Sequence, residues 1–148
     1  MQTITYKLYR NTFPKKRVED CIIWAIREWE KELDNAVRFV EVEEWFNWSF
    51  CFKQHPKYPE KIARCDLHEP HRATIYFDLR QKWALNFFQR ALGLGEDLRA
   101  TALHEIGHAL GLDHINVATS IMNSQITTNR IDDVSALRAR AYAKNTDW

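Results

Sequence analysis

Apolar and polar positions alternate along residues 3–9, where Ile4, Tyr6 and Leu8 are separated by Thr5 and Lys7. This period of two predicts a first strand. Pro14 stands where a helix can begin, and Val18, Cys21, Ile22, Ala25, Trp29 and Leu33 then recur at helical spacing. That stripe reads as the buried face of a long helix. A second strand is predicted over 37–43. Phe46, Trp48, Phe50 and Phe52 alternate with Asn47, Ser49 and Cys51 and mark a third. Residues 53–72 are polar, contain Pro56, Pro59 and Pro70, and predict a loop with room for a short edge strand. Thr74-Ile75-Tyr76-Phe77-Asp78 is the next strand. Gly93 and Gly95 break the chain before a helix expected over roughly 96–110. A last helix is expected from Asp132-Asp133, acids well placed for a helix N-terminus, with Leu137 and Tyr142 on its apolar side. The order strand–helix–strand–strand–strand–helix–helix predicts a small α/β domain whose sheet packs on helices. No repeat, low-complexity tract or linker interrupts it, so residues 1–148 read as one domain.

Composition agrees with one packed core. Hydrophobic residues make up 45% and aromatic residues 13%, six of them Trp, too many for a disordered chain. The formal charge is only +1, which is not the electrostatic footprint of a nucleic-acid or membrane-surface binder. No apolar run approaches the ~20 residues of a membrane span. No nucleic-acid or membrane partner is therefore expected. Met1-Gln2-Thr3-Ile4-Thr5-Tyr6-Lys7 alternates like a strand and has no apolar signal core. The expected location is the cytoplasm, unless a leader has been removed. Cys21 falls on the apolar helix face and reads as a buried thiol. Cys51 and Cys65 either pair or remain two free thiols, and an odd set of three excludes a disulfide-built scaffold.

The chemistry is concentrated in His104-Glu105-Ile106-Gly107-His108-Ala109-Leu110-Gly111-Leu112-Asp113-His114. His104 and His108 are four residues apart, so on a helix they project from one face, a turn apart. Gly111 can adopt the positive φ that ends a helix and reverses the chain, which returns His114 to the same side. Three protein nitrogens leave one tetrahedral position open, the mark of a catalytic rather than a structural zinc. Glu105 sits close enough to reach a zinc-bound water without being a ligand. The His-Glu-x-x-His core taken alone fits a solvated helix face equally well. The extended pattern with Gly111 and His114, followed by Met122 eight residues after His114, is far more demanding.

These residues resemble the metzincin zinc peptidases and are most similar to the matrixins, the catalytic domains of matrix metalloproteinases. Leu8 through Arg38 resembles that family's first strand and long first helix. Ile75-Tyr76-Phe77-Asp78 with Lys82-Trp83 resembles the strand before the active-site helix. Ala102 through His114 follows the family signature, and Ile131-Asp132-Asp133-Val134 resembles the start of the C-terminal helix. The resemblance implies an α/β (α+β) fold: a twisted, mostly parallel sheet of four to five strands with an antiparallel edge strand. Two long helices and a C-terminal helix would pack on it. It also implies one zinc held by His104, His108 and His114, with Glu105 as catalytic base and Gly111 and Met122 in support. Met122 would be an apolar floor beneath the metal, and a peptide or protein substrate would bind as an added strand.

There are departures. Ile115 follows the third histidine where a small hydroxyl residue is usual, and Asn123-Ser124 replaces Tyr-Pro after the methionine turn. The family's structural zinc uses a His, an Asp two residues on, and two later His. His55 matches the first, but Lys57 stands in the Asp position and Tyr76 in that of the last His, and the Gly-rich calcium loop is missing. Neither structural zinc nor calcium is expected. Cys65, Asp66, His68 and His71 have metal-ligand chemistry at irregular spacing and read either as a second metal site or as loop surface. Matrixins are restrained by a propeptide cysteine on the open zinc position. Arg64-Cys65-Asp66 shares only an Arg-Cys pair with that motif, so Cys65 is either an internal cap on the zinc or an ordinary loop cysteine. The expected activity is zinc-dependent peptide-bond hydrolysis by a monomer. The alternative from another class is a zinc-bound peptide-binding or regulatory domain with little turnover. A metallohydrolase acting on a non-peptide amide shares the zinc–water chemistry but has no sequence feature of its own.

Overall fold

The alternation near the N-terminus becomes β1 (Gln2–Leu8), with Ile4, Tyr6 and Leu8 buried on one side. The structure is a computed structural model and describes residues 1–68 and 71–148. The apolar stripe that follows becomes α1 (Lys16–Glu32), burying Val18, Cys21, Ile22, Ala25, Ile26 and Trp29. The helix begins two residues after Pro14 because Lys15 is fully extended (φ −166°, ψ 164°). β2 (Val37–Glu41), β3 (Trp48–Phe52), β4 (Ala63–His68) and β5 (Arg72–Phe77) join β1 in a five-stranded sheet of order β2-β1-β3-β5-β4. Every pairing is parallel except β4 on β5, so β4 is the antiparallel edge strand. This is the mixed α/β architecture the resemblance implied.

β3 lies in the middle of the sheet and is buried along its whole length, Ser49 and Cys51 included. On the helix-covered face, Ile4, Tyr6, Phe50, Ile75 and Phe77 belong to one core with Ile22, Ala25, Ile26 and Trp29 of α1. α3 (Leu98–Ala109) is buried almost throughout, which explains why its sequence shows no amphipathic stripe. Trp29 joins the two long helices, its indole Nε1–H donating to the Leu103 carbonyl at 2.9 Å. A short helix α2 (Phe87–Ala91) lies between the two-residue strands β6 (Trp83–Ala84) and β7 (Glu96–Asp97), which pair in parallel. α4 (Asp133–Lys144) closes the chain.

The short edge strand allowed for within residues 53–72 is β4, six residues long, and Glu69 and Pro70 of that stretch lie outside the described residues. One expectation needs correction. The buried side of α4 is made by Ser135, Ala136, Ala139 and Ala143, whereas Leu137 is 64% exposed and Tyr142 38%. Small side chains are needed there because α4 lies close to its neighbours. The Gln2 side chain donates to the Ala143 carbonyl at 3.0 Å, and Arg140 Nε–H to that of Glu32 at 2.6 Å. Cys21, Cys51 and Cys65 are all free thiols. Among the described residues no helix is long and apolar enough to cross a membrane.

Trp29 has no exposed surface and also carries the link to α3. Trp29→Ala should lower the unfolding free energy by about 3–5 kcal/mol, the range for a large aromatic removed from a core. Urea unfolding of the two proteins measures it.

Candidate metal centre

Asp97 caps α3, its side chain accepting the Ala100 N–H at 3.0 Å, and so starts the helix nearly two turns before His104. The far end is set by Gly111. With φ at +85° it allows two reversing hydrogen bonds, Leu112 N–H to the Gly107 carbonyl and Gly111 N–H to that of His108, both 3.0 Å. This is the paired 6→1 and 5→2 pattern of a Schellman turn. A side chain at Gly111 would also meet the Tyr142 ring at 2.6 Å, so position 111 is constrained twice. The same turn presents the Leu112 carbonyl to His108 Nδ1 at 2.7 Å. It then sends the chain back so that His114 faces the two helical histidines, its ring centroid 5.2 Å from His104 and 5.0 Å from His108.

His104, His108 and His114 are the group among the described residues whose ligand atoms, all within 4.8 Å of one another, could hold a metal ion. His104 Nδ1 lies 2.7 Å from the Ile121 carbonyl, and His108 Nδ1 has the Leu112 carbonyl. A carbonyl can only accept, so both Nδ1 atoms carry the proton, and the tautomers follow from this network. Both Nε2 atoms are then bare lone pairs, and they stand 3.1 Å apart. No proton is left to bridge them, so this approach is not a hydrogen bond. Two nitrogens on a tetrahedral zinc, each about 2.0–2.1 Å from it, lie about 3.3 Å apart. The donor set therefore fits zinc. Backbone carbonyls behind the ligands complete the arrangement that fixes imidazole tautomers at metal sites.

Burial pushes the His104 imidazole down to about 4 and lowers that of His108, so both are neutral ligands at pH 7. Glu105, next to His104 in the chain, is only 8% exposed. Burial pushes its carboxyl up to about 7, against a smaller opposing effect of the Cys65 backbone N–H. A cleft of about 450 Å³ runs over this point. His104, Glu105 and His114 form its floor, Lys61–Ala63 one wall and Ser124–Ile126 another.

Met122 is wholly buried beneath α3. Gly107 makes room for it: a side chain there would meet Met122 Sδ at 2.3 Å. The turn carrying Met122 is held by Asp132, a residue the sequence marked only as a helix-start acid. Its Oδ1 accepts from Ile121 N–H at 2.9 Å, Ser120 Oγ–H at 3.1 Å and Ser135 Oγ–H at 2.8 Å, and its Oδ2 from Ser135 N–H at 3.1 Å. One carboxylate thus caps α4 and positions Ile121, whose carbonyl orients His104. The available signal was Asp132 three residues before Ser135, a capping spacing, but nothing in the sequence announces the bond to Ile121. Asn123, one of the departures, ties the loop after His114, donating to the Val117 carbonyl at 3.0 Å.

The other candidate ligands do not come together. Successive side chains on β4 face opposite sides, so Cys65 turns toward Glu105 while Asp66 turns to His55. His68 bonds Thr74 Oγ1 at 3.1 Å, and the His71 ring sits 5.6 Å from that of Trp148. Cys65 is not in the three-histidine group, and burial pushes its thiol well up, away from the thiolate that zinc favours.

Burial raises the Asp132 carboxyl, but the hydrogen bonds from Ile121 and Ser135 outweigh it and leave the group below its ordinary value. A carboxyl lowered on folding stabilises above its unfolded value, near pH 4, and that stability is lost as pH falls through the lower folded value. Asp132→Ala should therefore cost about 1–2 kcal/mol at pH 7, the upper range for a helix cap. The gap between the two proteins should close below roughly pH 4. Denaturant unfolding at several pH values measures both.

Comparison with known proteins gives the same reading. The family model described as Matrixin matches residues 1–139. The chain is 36% identical over 85 residues to Metalloendoproteinase 4-MMP of Arabidopsis thaliana, covering 53% of this chain and 25% of that protein. It is 42% identical over 48 residues to karilysin of Tannerella forsythia, 32% of this chain and 9% of that one. It is 36% identical over 61 residues to matrix metalloproteinase-19 of Mus musculus, 41% and 10% respectively. The chain thus spans a quarter or less of the length of these relatives. With the match to the family running over almost all of its length, and the fold and three-histidine group in agreement, this chain belongs to the matrixin family of metzincin zinc peptidases.

Proposed function

We propose that this chain is a zinc-dependent endopeptidase. The observation that carries the reading is the Glu105 carboxyl, buried beside three convergent imidazoles at the floor of an open cleft. His104 and His108, each through Nε2, and His114 would hold one zinc ion, which when bound would supply Lewis acidity toward a water and the scissile carbonyl. Glu105 takes the proton of the attacking water and delivers it to the departing amide nitrogen. A carboxyl with an affinity near neutrality suits both transfers. Met122 forms an apolar floor and is not a ligand, and Gly111 sets the turn that presents His114.

The substrate is an extended peptide lying along β4. That strand ends the sheet, so no further strand pairs its outer edge, and the residues leading into it line the cleft. Ser124–Ile126, following the altered Asn123-Ser124 pair, form the opposite wall and shape the pocket for the side chain after the cut. The names of the relatives, a metalloendoproteinase and a matrix metalloproteinase, support the same reaction. A binding domain with little turnover has no use for a buried carboxyl at this position, so nothing favours that alternative.

The zinc-loaded chain should digest casein or gelatin, and a chelator should abolish digestion. Glu105→Ala should retain its zinc while turnover falls by at least about 10²–10⁴-fold, the range for a general acid–base group. Undiminished cleavage by a pure Glu105→Ala preparation would remove Glu105 as the base. Zinc-loaded protein that binds peptides and cleaves none would favour the binding domain instead.

A further inference from the structure

The loop between β3 and β4 is held by a group of side chains that the catalytic reading does not use. His55 is 3% exposed. Its Nδ1 accepts two backbone N–H groups, from Lys57 and Tyr58, each at 3.1 Å. That nitrogen is therefore unprotonated, the proton lies on Nε2, and Nε2–H donates to Asp66 Oδ2 at 2.6 Å. The second oxygen of Asp66 accepts from Arg64 Nε–H at 2.7 Å. The Arg64 guanidinium lies 4.0 Å over the Tyr58 ring, and the Tyr76 ring meets His55 edge-on at 4.6 Å. Both ring nitrogens of His55 and both oxygens of Asp66 are thus engaged within the chain.

His55 is also the residue that matches the first ligand of the matrixin structural zinc. The surroundings do not fit that ion. A structural zinc takes four ligands; here His55 and Asp66 offer two, while Lys57 and Tyr76, which stand at two of the family's ligand positions, offer none. Among the described residues no third His, Cys, Asp or Glu ligand atom joins them. The cation already against Asp66 is Arg64, which would repel a second, divalent one.

We propose that His55, Asp66 and Arg64 form a metal-free clasp that takes the place of the structural zinc and fixes the edge strand on which substrate is read. The mechanics follow from the register. Arg64 and Asp66 belong to β4, opposite Tyr76 and Thr74 of β5, while His55 and Tyr58 belong to the loop that leads to Lys61–Ala63 on the cleft wall. Tying Asp66 to His55 and Arg64 to Tyr58 therefore holds that wall against β4. It also holds Cys65, between the two clasp residues, whose N–H acts on Glu105. His55 and Asp66 are positioning residues and touch no reacting atom.

The test is a zinc count and a hydrogen-exchange measurement on the full chain, neither of which depends on catalysis. The purified protein should hold one zinc per chain, and the His104→Ala/His108→Ala variant none. A second zinc that survives in that variant and disappears in His55→Ala would overturn the proposal. In His55→Ala the zinc count should stay at one, while the amides of β4 exchange about tenfold faster, the factor expected for one lost charged hydrogen bond. Unchanged exchange would equally overturn it. Should His55→Ala fail to fold, Asp66→Asn, which keeps an oxygen for His55 and loses the charge facing Arg64, gives the same readout at smaller amplitude. Peptide hydrolysis adds a third readout that rests on the peptidase reading: KM should rise in Asp66→Asn while kcat stays within about twofold. A fall in kcat at constant KM would contradict the positioning role.

Discussion

Two short hydrogen bonds, His104 Nδ1–H to the Ile121 carbonyl and His108 Nδ1–H to the Leu112 carbonyl, both 2.7 Å, set the terms for the rest of the molecule. They turn two imidazoles so that bare Nε2 atoms face each other at a distance that only a cation makes favourable. Each carbonyl must in turn be held. Leu112 is placed by the Schellman turn at Gly111, and Ile121 by the Asp132 carboxylate that caps α4. The C-terminal helix and the active-site helix are thus coupled through one main-chain segment. The fixed spacing of the motif is the outward sign of that coupling.

The apolar framework supports the same geometry from below. α3 is buried on nearly every side, between the sheet, α1 and the methionine turn, so it cannot shift without disturbing the core. Gly107 and Gly111 show how little slack there is, since a single methyl group at either would strike Met122 or Tyr142. Glu105 gains its raised proton affinity from the same burial that fixes the helix. Rigidity and chemistry have one origin here.

Much of this was legible in the sequence, for definite reasons. β1, α1 and β3 were visible because Ile4, Tyr6 and Leu8, the Val18–Leu33 stripe, and Trp48, Phe50 and Phe52 repeat at the period of their elements. The histidine group was visible because its ligands are close in sequence. The edge strand was allowed for but not placed, because an edge strand is half-exposed along its length and Ala63–His68 has no alternation to read. The anchors of α4 were misjudged because size decided the packing: Ala136, Ala139 and Ala143 allow close approach, while the bulkier Leu137 lies outward and Tyr142, half-exposed, rests its ring on Gly111. The clasp of His55, Asp66 and Arg64 and the link from Asp132 to Ile121 join residues distant in the chain or bond through the backbone, and no local pattern encodes either.

Three imidazole nitrogens converge where one zinc would bind. X-ray absorption at the zinc edge of the loaded protein tests this directly. The prediction is nitrogen or oxygen neighbours only, at about 2.0–2.1 Å, with multiple scattering from three imidazole rings. Sulfur at about 2.3 Å would place Cys65 or another thiol on the metal and contradict the arrangement described. So would a count of imidazoles other than three.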